Sequence, residues 1–227
     1  MGKIFLVRHG ETDWHLEHRI LGRTDKSLNA RGFEQGRRIA QRFAGQELAA
    51  LYISPIQRCR ETIVALAEQT GLEPVVVDGM MEVDFGEWDG RKSADIMTES
   101  PELLKNWLMK PSSMRIPGGE NMTEVRDRVV EAMNWILPRH NTEQNILILS
   151  HGGPIRMVVC QVLGMDIDRM LRLEVDLASV TTLKFFGDSL DNRIGLSKLN
   201  DTSHLDLPEC DPGDVLEEMR AREESQR

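Results

Sequence analysis

Apolar positions along this chain keep two spacings. Unbroken apolar runs fall at 3–8, 48–53, 73–78 and 145–150, the pattern of strands buried on both faces. Two later runs, 179–186 and 193–199, mix in Thr and charge and predict edge or antiparallel strands. Elsewhere the spacing changes to three and four. Phe33, Gly36, Ala40 and Phe43 follow a candidate N-cap at Asn29, and Cys59, Ile63, Leu66 and Thr70 run up to Gly71. Val125, Val129, Ala132 and Ile136 extend from an Asn121-x-x-Glu124 capping-box pattern to Pro138. A fourth helix is predicted from about Pro154 to Leu163, with Gly164 to end it. Strands alternating with helices predict an α/β fold, a three-layer sandwich with a mostly parallel central sheet and helices on both faces.

The length, 227 residues, suits one sizeable core. No linker or shift in composition precedes residue 200, so one domain is expected over 1–200. The segment 201–227 reads as an acidic tail, partly disordered. From Asp201 onward nine acidic residues face three arginines, so this segment carries −6 of the net −9. An acidic chain argues against a nucleic-acid partner, and no apolar run is long enough for a membrane. The N-terminal apolar run is too short for a signal peptide. Cys59, Cys160 and Cys210 show no disulfide framework or CxxC pair, which predicts a reducing cytoplasm.

The chemistry begins where two of the buried runs stop. Phe5-Leu6-Val7-Arg8-His9-Gly10 and Leu147-Ile148-Leu149-Ser150-His151-Gly152 share one frame, a strand ending at His-Gly. Groups past the carboxyl ends of such strands line the ligand crevice of an open α/β sheet. Two imidazoles there, one beside an arginine, point to work on an anionic group. Neutral imidazole is a competent nucleophile, and a guanidinium holds two phosphate oxygens in a fork. A third stretch, Ser54-Pro55-Ile56-Gln57-Arg58-Cys59-Arg60-Glu61-Thr62, also follows a strand and opens a helix. Arg58 then lies in a first turn that favours anions. Expulsion of an alkoxide requires an acid. Glu82, Asp84, Glu87, Asp89 and Glu120 are the candidates, and composition does not choose among them.

Arg8-His9-Gly10-Glu11-Thr12, the Ser-Pro-x-x-Arg-x-x-x-Thr stretch at 54–62, the run Glu82 to Gly90 and Ser150-His151-Gly152 resemble, in order, the motifs of the histidine phosphatase superfamily. Together they cover most of residues 3–165. The resemblance implies a phosphoglycerate mutase-like fold, with His9 as nucleophile. It places Arg8, Arg58, His151 and the Gly152 N–H on the phosphoryl group. It assigns the acid role to Glu82, with Glu120 as second candidate. The family commonly has an asparagine on phosphate where this chain has His15. An imidazole donates one hydrogen bond in that role, and the sequence leaves open whether His15 faces inward.

Mutases of the superfamily carry a longer insertion between the equivalents of Gly90 and the helix at 121. The resemblance therefore implies a phosphomonoesterase, close to the family's α-ribazole phosphatases and small phosphoester hydrolases, rather than a mutase. The alternatives are phosphoglycerate mutase-type transfer and a non-catalytic phosphate-binding module. The expected partner is a small-molecule phosphate ester, and a homodimer is the assembly considered. The histidines and carboxylates lack clustered ligand spacing, so no metal or other cofactor is expected. Substrate-side residues are expected in 19–28 and 91–117, with Arg23, Arg91, Lys92 and Arg115 as candidate anion contacts.

Overall fold

The structure, a computed structural model, describes residues 1–190 and 192–206. Its six strands are β1 (Lys3–Arg8), β2 (Ala50–Ile53), β3 (Val75–Val76), β4 (Ile146–Ser150), β5 (Val180–Ser189) and β6 (Asn192–Asp201). They form one sheet in the order β3-β2-β4-β1-β5-β6. The first four strands in that order run parallel, while β5 and β6 complete one edge as antiparallel strands. Ile4 and Leu6 of β1 and Ile146 and Ile148 of β4 enter one core, and Phe5, Val7, Leu147 and Leu149 enter the other. With side chains alternating between faces, two cores demand an unbroken apolar run.

The helices are α1 (Asp13–Leu16), α2 (Ala30–Arg42), α3 (Gln57–Thr70), α4 (Ser93–Glu99), α5 (Pro101–Met109), α6 (Met122–Ile136) and α7 (Gly152–Leu163). Cores shared with the sheet put α2 and α3 on one face and α6 and α7 on the other. The expected three layers are present. Local signals end the helices as read. Asn29 accepts from the Gly32 N–H, Asn121 and Glu124 close a capping box, and Gly71 and Gly164 take left-handed conformations.

Four details differ from the sequence reading. The run at 73–78 yields only two strand residues, both exposed, because β3 is the sheet's edge. Phe33 lies outside the buried stripe and is exposed, since α2 turns Gly32, Gly36, Ile39 and Ala40 inward instead. The stretch at 91–117, for which the apolar pattern predicts no element, holds two helices. Its helices α4 and α5 contribute Ile96, Leu103, Leu104 and Trp107 to a small third cluster around Trp88 and Ile116. Finally, the first residues of the segment read as a tail pack against the domain. Asp201 pairs with Arg42 at 2.7 Å, and His204 is buried. The rest of the acidic tail, 207–227, lies outside the described residues.

Gly32 marks where α2 meets the loop after β1. A Cβ there would sit 2.1 Å from the Glu11 carbonyl oxygen. Alanine would gain about 1 kcal/mol of helix propensity, but the clash is with backbone and typically costs about 1–3 kcal/mol. Gly32→Ala should therefore lower the urea midpoint, and an unchanged or raised midpoint would show that the helix yields freely.

Candidate active site

Register brings the site together. Arg8 lies opposite Ser150 in the parallel β1–β4 pair, and the Ser54 N–H donates to the Leu149 carbonyl at 3.0 Å. Three strands thus end at one level. His9 and His151 emerge side by side, ring centroids 5.0 Å apart, and both are buried. The His9 N–H is held by the Ser150 carbonyl at 3.0 Å.

His9 has one defined tautomer. Its Nδ1 lies 2.7 Å from the Gly10 carbonyl, which only accepts, so Nδ1 carries the proton. Nε2 keeps its lone pair and accepts from Arg58 Nε at 3.2 Å. Burial, then the charge of Arg58, holds the His9 pKa well below the usual histidine value. The ring is therefore neutral at neutral pH.

Arg58 is fully buried in the first turn of α3. Its other nitrogens donate to Gly22 and Thr24 carbonyls at 2.7 and 3.2 Å, which fixes the loop over the site. Thr62, one turn on, accepts from the Gly10 N–H at 3.0 Å and ties the loop after β1 to α3. His151 Nε2 lies 2.8 Å from Ser54 Oγ and 3.5 Å from Cys59 Sγ. Burial pushes the Cys59 thiol up to about 12 despite the neighbouring Arg58 charge.

Two buried nitrogens here, His151 Nδ1 and Arg8 Nε, have no hydrogen-bond partner among the described residues. Arg8 spends Nη1 on the Val175 carbonyl at 2.7 Å. Burial brings its pKa down to about 10, so it stays a cation at neutral pH. Unpaired buried donors are costly unless a ligand satisfies them.

His15 faces inward, its ring centroid 5.5 Å from that of His9. The Thr12 N–H and Oγ lie 3.2 and 2.9 Å from His15 Nδ1. Because the N–H can only donate, Nδ1 is an acceptor and the proton sits on Nε2. Burial, then Arg8 and Arg58, brings the His15 pKa to about 4, so it offers a neutral donor rather than added charge.

Of the five candidate carboxylates Glu87 is exposed, and the other four separate by their partners. Glu120 accepts from Arg23, twice from Arg128 and from the Asp84 N–H at 2.8–3.0 Å. Burial alone would raise its pKa, but these donors and charges hold it below the usual range. It is a clamped carboxylate. Arg128 in turn donates to the Glu82 carbonyl at 3.0 Å, so Glu120 positions Glu82. Asp89 caps the Gly22 and Thr24 N–H groups, and Asp84 caps the Gly86 N–H. Only Glu82 lines the cavity. Its Oε1 accepts from the Val83 and Gly153 N–H groups at 2.8 and 3.2 Å, and no described residue donates to Oε2. A Cβ on Gly153 would come within 2.5 Å of that Oε1, so a side chain there would push the Glu82 carboxyl aside.

The cavity measures about 380 Å³. Its floor is Arg8, His15, Glu82 and Gly152, and its walls include Ile20, Leu21, Phe85, Leu104, Trp107 and Leu171. His9, Arg58 and His151 are buried and do not line it, although the His9 ring lies 5.5 Å from that of His15, which does. Of the anticipated anion contacts, Arg23, Arg91 and Arg115 are taken by carboxylates, and none of the four lines the cavity. The arginine that does line it with Arg8 and Arg19, and that motif reading missed, is Arg156. Its signal was spacing: it lies one helical turn past Gly152 on α7.

The histidine phosphatase superfamily (branch 1) model matches residues 4–200. The chain belongs to this superfamily. This phosphatase is 32% identical to phosphoserine phosphatase 1 of Hydrogenobacter thermophilus, over 90% of its own chain and 95% of that one. It is 30% identical to a probable phosphoglycerate mutase of Salmonella choleraesuis, over 93% and 98% of the two chains. Among solved structures it resembles phosphoserine phosphatase from Entamoeba histolytica in complex with 3-phosphoglyceric acid. That match has a TM-score of 0.79 and 25% identity, covering 90% of this chain and all (100%) of the other. His9, Arg58 and His151 of this phosphatase stand as in the superfamily's active site.

Burial makes the fold of this phosphatase sensitive to acid. His9, His151, His15 and His204 all have lowered pKa values, burial being the largest cause in each. Below the ordinary histidine pKa of about 6.5 the unfolded chain binds protons that the folded chain refuses. Stability should be full above that pH and fall below it, at a limiting slope of about 1.4 kcal/mol per pH unit for each histidine. Urea midpoints at pH 7.5 and 5.5 measure this, and equal midpoints would contradict neutral, buried histidines.

Proposed function

We propose that this protein is a phosphomonoesterase that hydrolyses a small phosphorylated metabolite through a phosphohistidine on His9. The observation that carries the reading is the fixed tautomer of His9. A neutral ring with its lone pair on Nε2 lies beside two arginines.

A phosphoryl group entering from the cavity takes the Arg58 donor away from His9 Nε2. Arg8 Nε, Arg58, His151, His15 Nε2–H and the Gly152 N–H then surround its oxygens. These donors are in place before charge develops, which is the condition for large electrostatic stabilisation. Nε2 attacks phosphorus as the bond to the ester oxygen breaks, and Glu82 gives its proton to the departing oxygen. In the second step a water attacks the phosphohistidine while Glu82 takes the water's proton. Inorganic phosphate leaves, and His9 regains its lone pair.

The likeness to a probable phosphoglycerate mutase supports one second reading, transfer to an acceptor hydroxyl in place of water. Product analysis separates the two, since only hydrolysis releases phosphate in step with substrate loss. The free, buried thiols of Cys59 and Cys160 support a cytoplasmic setting. The domain proposed spans 1–200, with the acidic tail apart from the chemistry.

Quenching without acid during turnover of labelled substrate should trap an acid-labile phosphoenzyme in the wild type and none in His9→Ala. Full activity in His9→Ala would end the reading. Glu82→Gln should lose about 10²–10⁴-fold in kcat with an alkyl phosphate, the usual worth of general acid catalysis. With p-nitrophenyl phosphate, whose leaving group needs no proton, the loss should be much smaller. Equal losses on both would remove Glu82 from the acid role.

A further inference from the structure

One cation in the cavity has no part in the chemistry above. Arg156 projects from α7, its Nε donating to the Leu173 carbonyl at 2.9 Å. That bond fixes the stem. Its Nη groups, by contrast, meet no carboxylate or carbonyl among the described residues. Arg156 Nη1 lies 2.9 Å from the point that a Cβ on Gly152 would occupy, and Arg8 Cζ lies 3.7 Å from the same point. Two guanidinium groups thus converge on one spot at the cavity floor.

The phosphoryl group accounts for Arg8 and Arg58 but leaves Arg156 over. Arg19, the remaining arginine of the cavity, is engaged by Glu17 at 2.5 Å and by the Gly90 carbonyl at 2.8 Å. Glu82 is the cavity's only acidic side chain among the described residues, and the mechanism proposed above uses it to carry the proton. Burial lowers the pKa of Arg156, against the opposing charges of Glu82 and Asp176. The nearby walls are apolar, with Leu104, Trp107, Leu108, Met170 and Leu171. A half-buried cation in such surroundings gains from an anionic partner far more than a solvated one does. The leaving group must pass Glu82 to receive its proton, so its substituents occupy this part of the cavity.

We propose that Arg156 is a specificity-determining residue that binds a carboxylate on the leaving-group side, so the substrates are phosphate monoesters of hydroxy acids. This rests on the phosphomonoesterase reading. A planar, two-oxygen carboxylate matches the fork of Nη donors.

The test compares kcat/KM for 3-phosphoglycerate and glycerol 3-phosphate, which differ by a carboxylate against a hydroxymethyl group. Wild type should prefer the acid. Arg156→Gln should cut the ratio between the two substrates roughly ten- to hundred-fold, the worth of a charge-assisted hydrogen bond. The change should lie mostly in KM, and Arg156→Lys should restore part of the ratio. An unchanged ratio in Arg156→Gln, whether both rates fall together or neither moves, would overturn the proposal. A wild type that hydrolyses both esters without discrimination would overturn it too, with the phosphatase reading intact. A wild type inactive even on p-nitrophenyl phosphate would overturn both.

Discussion

The in-register pairing of β1 with β4 is the constraint on which the rest depends. Because Arg8 lies opposite Ser150, the two His-Gly pairs leave the sheet at one level and on neighbouring strands. A slip of one residue would turn Arg8 to the opposite face and separate the imidazoles. That register is secured far from the chemistry. Ile4 and Leu6 belong to one core and Phe5 and Val7 to the other, so a one-residue shift exchanges both sets at once.

Burial does a second job at the same place. Packing the histidines inside the protein strips them of water and surrounds them with fixed cations, which keeps His9 and His151 unprotonated. The arginines bear the cost of that environment, and backbone carbonyls offset it. Arg58 holds Gly22 and Thr24, and Arg8 holds Val175. Charges intended for a ligand therefore organise the loops around them. Glu120 shows the same economy, since its clamp on Arg23 and Arg128 also steadies the Glu82 backbone.

Most of this architecture was legible because it is written locally. Apolar runs flanking His9 and His151, the Asn29 and Asn121 caps, and Gly71 and Gly164 each report their own element. What escaped depends on partners distant in sequence. Phe33 has the right spacing for the stripe of α2, but Gly32 and Gly36 let the backbone approach Glu11 and Thr62 and turn the helix by a position. Short α4 and α5 pack on loops and on each other rather than on the sheet, so their apolar residues keep no long period. The carboxylates at 82–89 and 120 looked alike as residue types. They differ in which donors reach them and in which one lines the cavity. Arg156 carries no motif, and its position over Gly152 follows from the pitch of α7.

The thiol beside the second histidine adds a last consequence. Cys59 is fully buried, donates to the Ser150 carbonyl at 3.6 Å, and is held protonated at neutral pH. Oxidation by peroxide proceeds through the thiolate and requires access. Hydrolases that depend on a reactive cysteine accept vulnerability to oxidants along with its nucleophilicity. In the mechanism proposed above the attacking atom is a ring nitrogen, and the sulfur beside the site makes no attack. The fold thus separates phosphoryl chemistry from the redox state of its surroundings.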